Sequence, residues 1–308
     1  MRHETFATPG PVEIEVRVPA GRVELETAET AETRVELAPF GDDDDSLAAV
    51  QSARIELRER ATGGQQVLVA VENAGRALDL SLSRGLPSGL RHFQFGILRR
   101  GEVLARVRCP HGTSVDAEGG STEIEARGRF GSVTVSTRSG DVDLAEIERD
   151  ASVHSVSGDV RVGIVAGKTR VETASGDVAV RGVGTRGEIN SASGDVLVDH
   201  APGPITVNSA SGDVVVRRAD SSVAVNTASG DQRIDGLAEG EVSLRSASGD
   251  IRVSVRPGTK LWLDAHSRTG ETTSDMEVGS EPPGDRAPSL ELRATSLSGD
   301  IHIERVPA

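Results

Sequence analysis

The chain has 308 residues, of which 36% are apolar and only 2% aromatic. With its 35 glycines it reaches the apolar share of an ordinary globular domain, so we expect it to fold. The net charge of −14 disfavours binding to nucleic acids and anionic membranes, because both are anionic. A single cysteine excludes an internal disulfide framework and a cysteine-based zinc cluster. No apolar run reaches the roughly 18 residues of a membrane helix, and the start has no export signal, so we expect a cytoplasmic protein without membrane insertion.

The first part of the chain alternates apolar and polar residues, which predicts β-strands. A short helix is predicted at 46–53, and the acidic run 42–45 is interpreted as a solvated loop, with a calcium-binding loop as the alternative. We therefore predict a β-rich N-terminal region over 1–110, continuous with a repeat domain over 111–308. The predicted strands contain these alternating sets: Val12 to Val18, Val23 and Leu25, Val35 and Leu37, Val67 to Val71, and Leu78 to Leu82.

The segment 84–101, RGLPSGLRHFQFGILRRG, differs from the rest of the chain. It concentrates arginines and aromatic rings in an acidic, aromatic-poor sequence, which indicates a loop that contacts an unidentified protein partner. The alternatives are a mobile loop and a lid over the open end of the repeat domain. The candidate contact residues are Arg91, Phe93, Phe95, Arg99 and Arg100.

The tripeptide Ser-Gly-Asp occurs eight times, and five successive spacings are 18 residues, followed by one of 19. Apolar residues recur one, three, six and twelve positions after the aspartates from Asp141 to Asp213, as Val196, Val198, Ala201 and Val207 do after Asp195. This pattern predicts an all-β, single-stranded parallel β-solenoid, or β-helix, with about 18 residues per coil. Its narrow interior explains the lack of aromatic rings and also the small residues before each motif, such as Ala192.

Each motif is interpreted as a corner, where glycine accepts a positive φ and aspartate bonds nearby backbone N–H groups. The alternative is a cation held between stacked carboxylates, which otherwise repel by roughly 1 kcal/mol per pair. The second half-site of calcium-binding nonapeptide coils is missing, so we expect no cofactor and keep calcium as the alternative. The corner residues are Gly140, Asp141, Gly158, Asp159, Gly176, Asp177, Gly194, Asp195, Gly212, Asp213, Gly230, Asp231, Gly249 and Asp250.

Asn190, Asn208 and Asn226 form a second repeated column, expected to face outward. Stacked amides stabilise such coils, and the alternative is that the column binds a sugar or a polymer. Acidic residues repeat identically from coil to coil, and no pair stands out as a catalytic exception, so we expect no enzymatic activity and assign no catalytic or metal residues. Cys109 beside His111 is interpreted as a buried cysteine.

The SASGDV repeats from Ser139 to Asp300 resemble a bacterial β-strand-repeat family filed as a domain of unknown function and grouped with putative adhesin domains. The segments VPAGRVELE and VRCPHGTSVDAEGG resemble a soluble actinobacterial branch. The resemblance implies a single-stranded β-helix without an assigned activity. The segment 250–308 is interpreted as a degenerate C-terminal cap.

From these features we expect a non-enzymatic scaffold or protein-binding module with a role in regulatory or envelope-stress signalling, and an ability to form oligomers through the solenoid ends. The first alternative is an adhesin-like surface or carbohydrate-binding protein. The second is a polysaccharide-acting β-helix enzyme, which requires one coil with a cleft and two carboxylates.

Overall fold

A computed structural model describes residues 1–41, 43–60, 63–71, 101–275 and 289–306. The predicted all-β architecture of parallel strands is confirmed. The elements before the regular coils are β1 (Arg2–Ala7), β2 (Glu13–Ala28), β3 (Glu32–Pro39), α1 (Asp44–Ser52), β4 (Arg54–Glu59), β5 (Gln65–Ala70) and β6 (Val103–Pro110). The strands that follow are β7 (Ser114–Phe130), β8 (Val133–Ser139), β9 (Val142–Ile147), β10 (Ala151–Ser157), β11 (Val160–Val165), β12 (Lys168–Thr173), β13 (Val178–Val183), β14 (Arg186–Ser191), β15 (Val196–His200), β16 (Ile205–Ser211), β17 (Val214–Val216), β18 (Val223–Ser229), β19 (Gln232–Leu237), β20 (Gly240–Ser248), β21 (Ile251–Val255), β22 (Leu261–Ser267), β23 (Thr272–Ser274), β24 (Leu290–Ser298) and β25 (Ile301–Arg305).

Each regular coil contributes one strand to each of two faces of the solenoid. The first face stacks the even-numbered strands from β8 to β20, and the second face stacks the odd-numbered strands from β9 to β21. The stack is parallel and in register, so that Val178 pairs with Val160 on one side and with Val196 on the other. The long strands β2 and β7 run through both faces and connect them. Equivalent residues therefore lie above one another along the whole stack.

The interior is filled by columns of small aliphatic side chains. Val196, Val198, Ala201 and Val207 are all at most 1% exposed, as their spacing predicts. A further inward column, ten positions after the aspartates from Asp141 to Asp213, was missed by the sequence interpretation because it is apolar only in some coils. Its members are Ala151, Thr169, Gly187, Ile205 and Val223.

The two ends of the stack do not follow chain order. At the C-terminal end, β24 lies between β20 and β22, so the last coil of the chain is inserted beneath the preceding one. At the other end, β2 lies between β7 and the pair β5 and β6, and antiparallel strands β4, β3 and β1 continue outward. Leu290 and Leu292 of the inserted coil are fully buried, whereas Leu261 and Leu263 of the outer coil are only partly buried. The outer segments therefore cap the regular core at both ends.

The acidic run is not wholly a loop, which corrects the sequence interpretation. Asp43 is the N-cap of α1, and its Oδ1 accepts a hydrogen bond from the Ser46 backbone N–H at 2.8 Å. Asp44 and Asp45 lie in the first turn, where carboxylates interact favourably with the helix dipole. The bonds from Ser46 lower the pKa of Asp43 below its usual value. This local capping accounts for the aspartates at the start of the predicted short helix.

The corner glycines are required by conformation and by close stacking. Gly158 has φ of +109°, and a Cβ atom placed there would lie 2.5 Å from the carbonyl oxygen of Gly140 in the neighbouring coil. Gly10 has open space around the equivalent position and lacks a positive φ. The two glycines provide a matched pair for testing how much the corner depends on a missing side chain.

We expect Gly158→Ala to lower the free energy of unfolding by about 2–4 kcal/mol, through backbone strain and overpacking. Gly10→Ala should leave stability unchanged or raise it slightly, because alanine restricts the unfolded chain. Urea unfolding followed by circular dichroism measures both. Equal midpoints for the two variants would contradict this account of the corner.

Candidate functional site

The corner aspartates form a continuous hydrogen-bond ladder along the solenoid. The Oδ1 atom of Asp195 accepts the backbone N–H of Asp213 at 2.9 Å, and the N–H of Asp195 donates to Oδ1 of Asp177 at 2.9 Å. The same contact recurs from Asp141 to Asp300 and is then continued by Glu271, whose N–H donates to Oδ1 of Asp300 at 2.8 Å. Each carboxylate thus faces a backbone donor of the next coil, which offsets repulsion within the column.

The alanines that precede five of the eight motifs line the outside of the solenoid, which corrects the expectation that they fill its interior. Ala192 and Ala210 are exposed at the corner, whereas the preceding Ser191 and Ser209 point inward and are buried. The hydroxyl of Ser191 donates to the carbonyl oxygen of Ser193 at 3.1 Å and so closes the turn. The hydroxyl, rather than the methyl group, is therefore the inward member of this pair.

A shallow groove of about 720 Å³ runs along this corner across five coils. Its regular part is lined by the outward Asn column, the buried Ser or Thr column and the exposed Ala column. Small alanines beside longer asparagines leave the surface concave. The lining residues are His154, Ser155, Val156, Glu172, Thr173, Ala174, Asn190, Ser191, Ala192, Asn208, Ser209, Ala210, Asn226, Thr227 and Ala228.

The three asparagines donate to one another in series. Nδ2 of Asn208 donates to Oδ1 of Asn190 at 2.8 Å, and Nδ2 of Asn226 donates to Oδ1 of Asn208 at 2.9 Å. The amide dipoles are therefore aligned, with their N–H ends toward Glu188, which accepts from Asn190 at 3.3 Å. Arg245 occupies the next position in this column, beside Asn226 on the neighbouring strand. The carboxylate at the donor end accepts a charge-assisted hydrogen bond, which stabilises this alignment.

The groove changes character at its N-terminal end. His154 Nδ1 lies 3.4 Å from Glu172 Oε2, and Arg170 contacts the other oxygen of Glu172 at 2.5 Å. The bond from Arg170, with a smaller contribution from His154, lowers the pKa of Glu172 below its usual value. Glu172 is therefore ionised at neutral pH, and the neutral part of the groove ends beside the ion pair of Arg170 and Glu172.

The structure assembles one charged cluster that the sequence interpretation missed. Asp220 receives contacts from His200 at 2.6 Å, from Arg218 at 3.3 Å and from Arg256. The bonds from His200 and Arg256 hold the pKa of Asp220 well below its usual range. Arg256 also donates to the Gly236 carbonyl oxygen at 2.7 Å, so the cluster links four successive coils. None of the repeated motifs signals this contact, because its members occupy non-equivalent positions in different coils.

Cys109 is fully buried, and its Sγ lies 3.7 Å from the Glu26 carbonyl oxygen. Burial raises the pKa of this thiol to about 12. His111 instead contacts the Thr27 hydroxyl through Nδ1 at 2.9 Å. The thiol and the imidazole therefore have different partners, as expected for a structural cysteine.

The predicted partner-contact residues Arg91, Phe93, Phe95, Arg99 and Arg100 lie outside the described residues, as do Leu78 to Leu82. In the part of the chain that the structure describes, no group of three His, Cys, Asp or Glu side chains is arranged to hold a metal ion. Within the same ranges, no helix has the length and apolarity needed to cross a membrane.

Two stacked parallel faces with repeated polar corners define a parallel β-solenoid protein. The chain belongs to the Toastrack DUF4097 family, whose model matches residues 13–239 and 205–304. This confirms the predicted membership in a domain family of unknown function. A comparison with curated proteins found no match to this sequence.

Three solved structures with similarity over nearly the whole chain are distant in sequence. A putative cell adhesion protein from Clostridium sporogenes is 10% identical with a TM-score of 0.24, each chain being covered to 99%. A putative adhesin from Parabacteroides merdae is 10% identical with a TM-score of 0.31. A putative lipid binding protein from Parabacteroides distasonis is 15% identical with a TM-score of 0.29. For the latter two, the alignment covers 99% of this chain and 96% of the other.

Substitutions at Asp195 distinguish a hydrogen-bonding role for the corner column from cation binding. Asp195→Ala removes the acceptor of the Asp213 N–H and should lower the free energy of unfolding by about 1 kcal/mol. Asp195→Asn keeps an acceptor oxygen and removes repulsion with two neighbours, so its stability should equal or exceed that of the unchanged protein. Thermal melts with calcium and with chelator complete the test, and a melting temperature that falls with chelator would show that a cation is bound.

We expect the Cys109 thiol to react with a disulfide reagent at pH 8 at least about 100-fold more slowly in the folded protein than in urea, because it is buried and neutral. The raised pKa also predicts a stability contribution that is fully present below pH 9 and is lost as the pH rises toward 12. Similar labelling rates with and without urea would show that the thiol is accessible.

Proposed function

We propose that the protein is a non-enzymatic binding module, in which a rigid stack of 18-residue coils presents the groove to a protein partner. The observation that carries the proposal is the groove itself, which combines polar amides and apolar methyl groups over five coils. Concave surfaces of this mixed kind are typical of ligand sites. The backbone hydrogen bonds between coils hold both walls in fixed positions, which lowers the entropy lost on binding.

The asparagine ladder leaves hydrogen-bonding capacity unused. Each side-chain amide has two N–H donors and two acceptor lone pairs, and the contacts along the ladder use one of each at Asn208. One donor and one acceptor therefore remain at this half-buried position. A column with a purely structural role needs only the contacts along the ladder, so the remaining capacity supports a role in binding.

A second candidate, a carbohydrate-binding or adhesin-like role, is favoured by the same amides, because they also pair with hydroxyl groups. The absence of enzymatic activity and of a cofactor, the cytoplasmic location and a regulatory or envelope-stress role remain predictions. Assignment to an actinobacterial branch with Ser-Gly-Asp repeats and partner contact through residues 84–101 also remain predictions. Fractionation of cells tests the location.

Affinity capture with groove variants tests the binding role. Ala210→Arg places a long charged side chain at an exposed position in the groove, and we expect it to lower recovery of partners at least about tenfold. Ser211→Arg, one residue further along, adds the same charge outside the groove lining and should leave recovery unchanged. Equal recovery with both variants would exclude the groove as the binding surface.

A further inference from the structure

The central part of the groove is electrically neutral in a strongly acidic protein. From Asn190 to Ala228, every side chain that lines it is an amide, a hydroxyl or a methyl group. The titratable lining residues, His154 and Glu172, lie at one end and already contact each other. The best occupant is therefore a neutral segment that presents amide-like donors and acceptors.

A peptide backbone matches this chemistry when its own hydrogen-bonding groups are free. In the polyproline II conformation the backbone makes no internal hydrogen bonds, so its carbonyl oxygens and remaining N–H groups are available. The side-chain amide of asparagine has the same donor and acceptor groups as a peptide bond. The exposed methyl groups of Ala192 and Ala210 offer a smooth apolar surface for proline rings beside these amides.

The repeat length of such a peptide also matches the repeat of the groove. A polyproline II helix advances about 9.3 Å per three-residue turn. Two coils of the solenoid advance about 9.6 Å, twice the spacing between neighbouring strands. A fully extended strand repeats every two residues, or about 6.7 Å, and this repeat matches the spacing of neither one coil nor two.

Asn190 and Asn226 are two coils apart, because Asn208 pairs with both. One turn of a polyproline II peptide running along the solenoid axis therefore brings equivalent peptide residues to these two amides. Asn208 faces the intervening half-turn. This register engages two of the three asparagines with the same side of the peptide.

Building on the proposed function of the groove, we propose that its partner is a neutral, proline-rich segment bound as a polyproline II helix parallel to the solenoid axis. Asn190 and Asn226 bind its backbone, and the alanine column contacts its proline rings. Affinity comes from the main chain and from the fixed spacing of the coils. Specificity comes from the conformation of the peptide more than from its side chains.

The test uses the full chain and a fluorescein-labelled peptide of three Ala-Pro-Pro repeats, which is about 28 Å long. We expect saturable binding by fluorescence anisotropy, and no saturation with a Gly-Ser peptide of the same length. Asn190→Ala and Asn226→Ala should each weaken binding by about 5- to 10-fold, and Asn208→Ala by about twofold. Thr206→Ala, on the same strand but outside the groove lining, is the matched control and should not change the affinity. Thermal melts of every variant check that the stack remains folded.

Equal effects at all three asparagines, or equal binding of the Gly-Ser peptide, would overturn the polyproline II register. Asparagine-dependent binding of a hexasaccharide of N-acetylglucosamine, without binding of the Ala-Pro-Pro peptide, would identify a glycan site instead. If the peptide fails to bind but Ala210→Arg still loses captured partners, this inference is wrong while the proposed function stands. If Ala210→Arg captures partners normally, the proposed function itself is wrong.

Discussion

Parallel stacking in register is the constraint on which the rest of this structure depends. It places each side chain directly above its equivalent in the neighbouring coil, roughly 4.8 Å away. Each column must therefore consist of residues that can pack against, or hydrogen-bond to, copies of themselves. Aliphatic columns satisfy this condition by packing, and the corner column satisfies it with glycine, since a Cβ atom at Gly158 would collide with the coil before it. The scarcity of aromatic rings has the same origin, because a narrow interior with stacked walls has little space for them.

Polar columns meet the same constraint in two different ways. Aspartates at the corners would repel one another, but each carboxylate accepts a backbone N–H from the next coil. The asparagines need no backbone donor, because an amide is both donor and acceptor and can bind its own copy. The asparagine column remains neutral and retains donors and acceptors beyond those used along the ladder, which supports the proposed role in binding.

The ends of the stack show where the repeat no longer suffices. A regular coil at either end would expose an unpaired edge and an open core. Irregular outer segments cover the core instead, with β22 over β24 at one end and β5 and β6 over β2 at the other. The cap segments depart from the motif, and Leu261 and Leu263 there are less buried than their counterparts in the inserted coil.

The sequence by itself determined the all-β class, the parallel stack and the outward position of Asn190, Asn208 and Asn226. These features could be predicted because stacked residues are in contact with their own repeats, so the contact is visible as a spacing. Only the tertiary structure decided that Ala192 lies outside while Ser191 lies inside, since both fit a corner and only the path of the turn separates them. It also decided the reversed coil order at the ends and the meeting of Asp220 with Arg256. Those contacts join residues that are not equivalent, and no periodicity in the sequence records them.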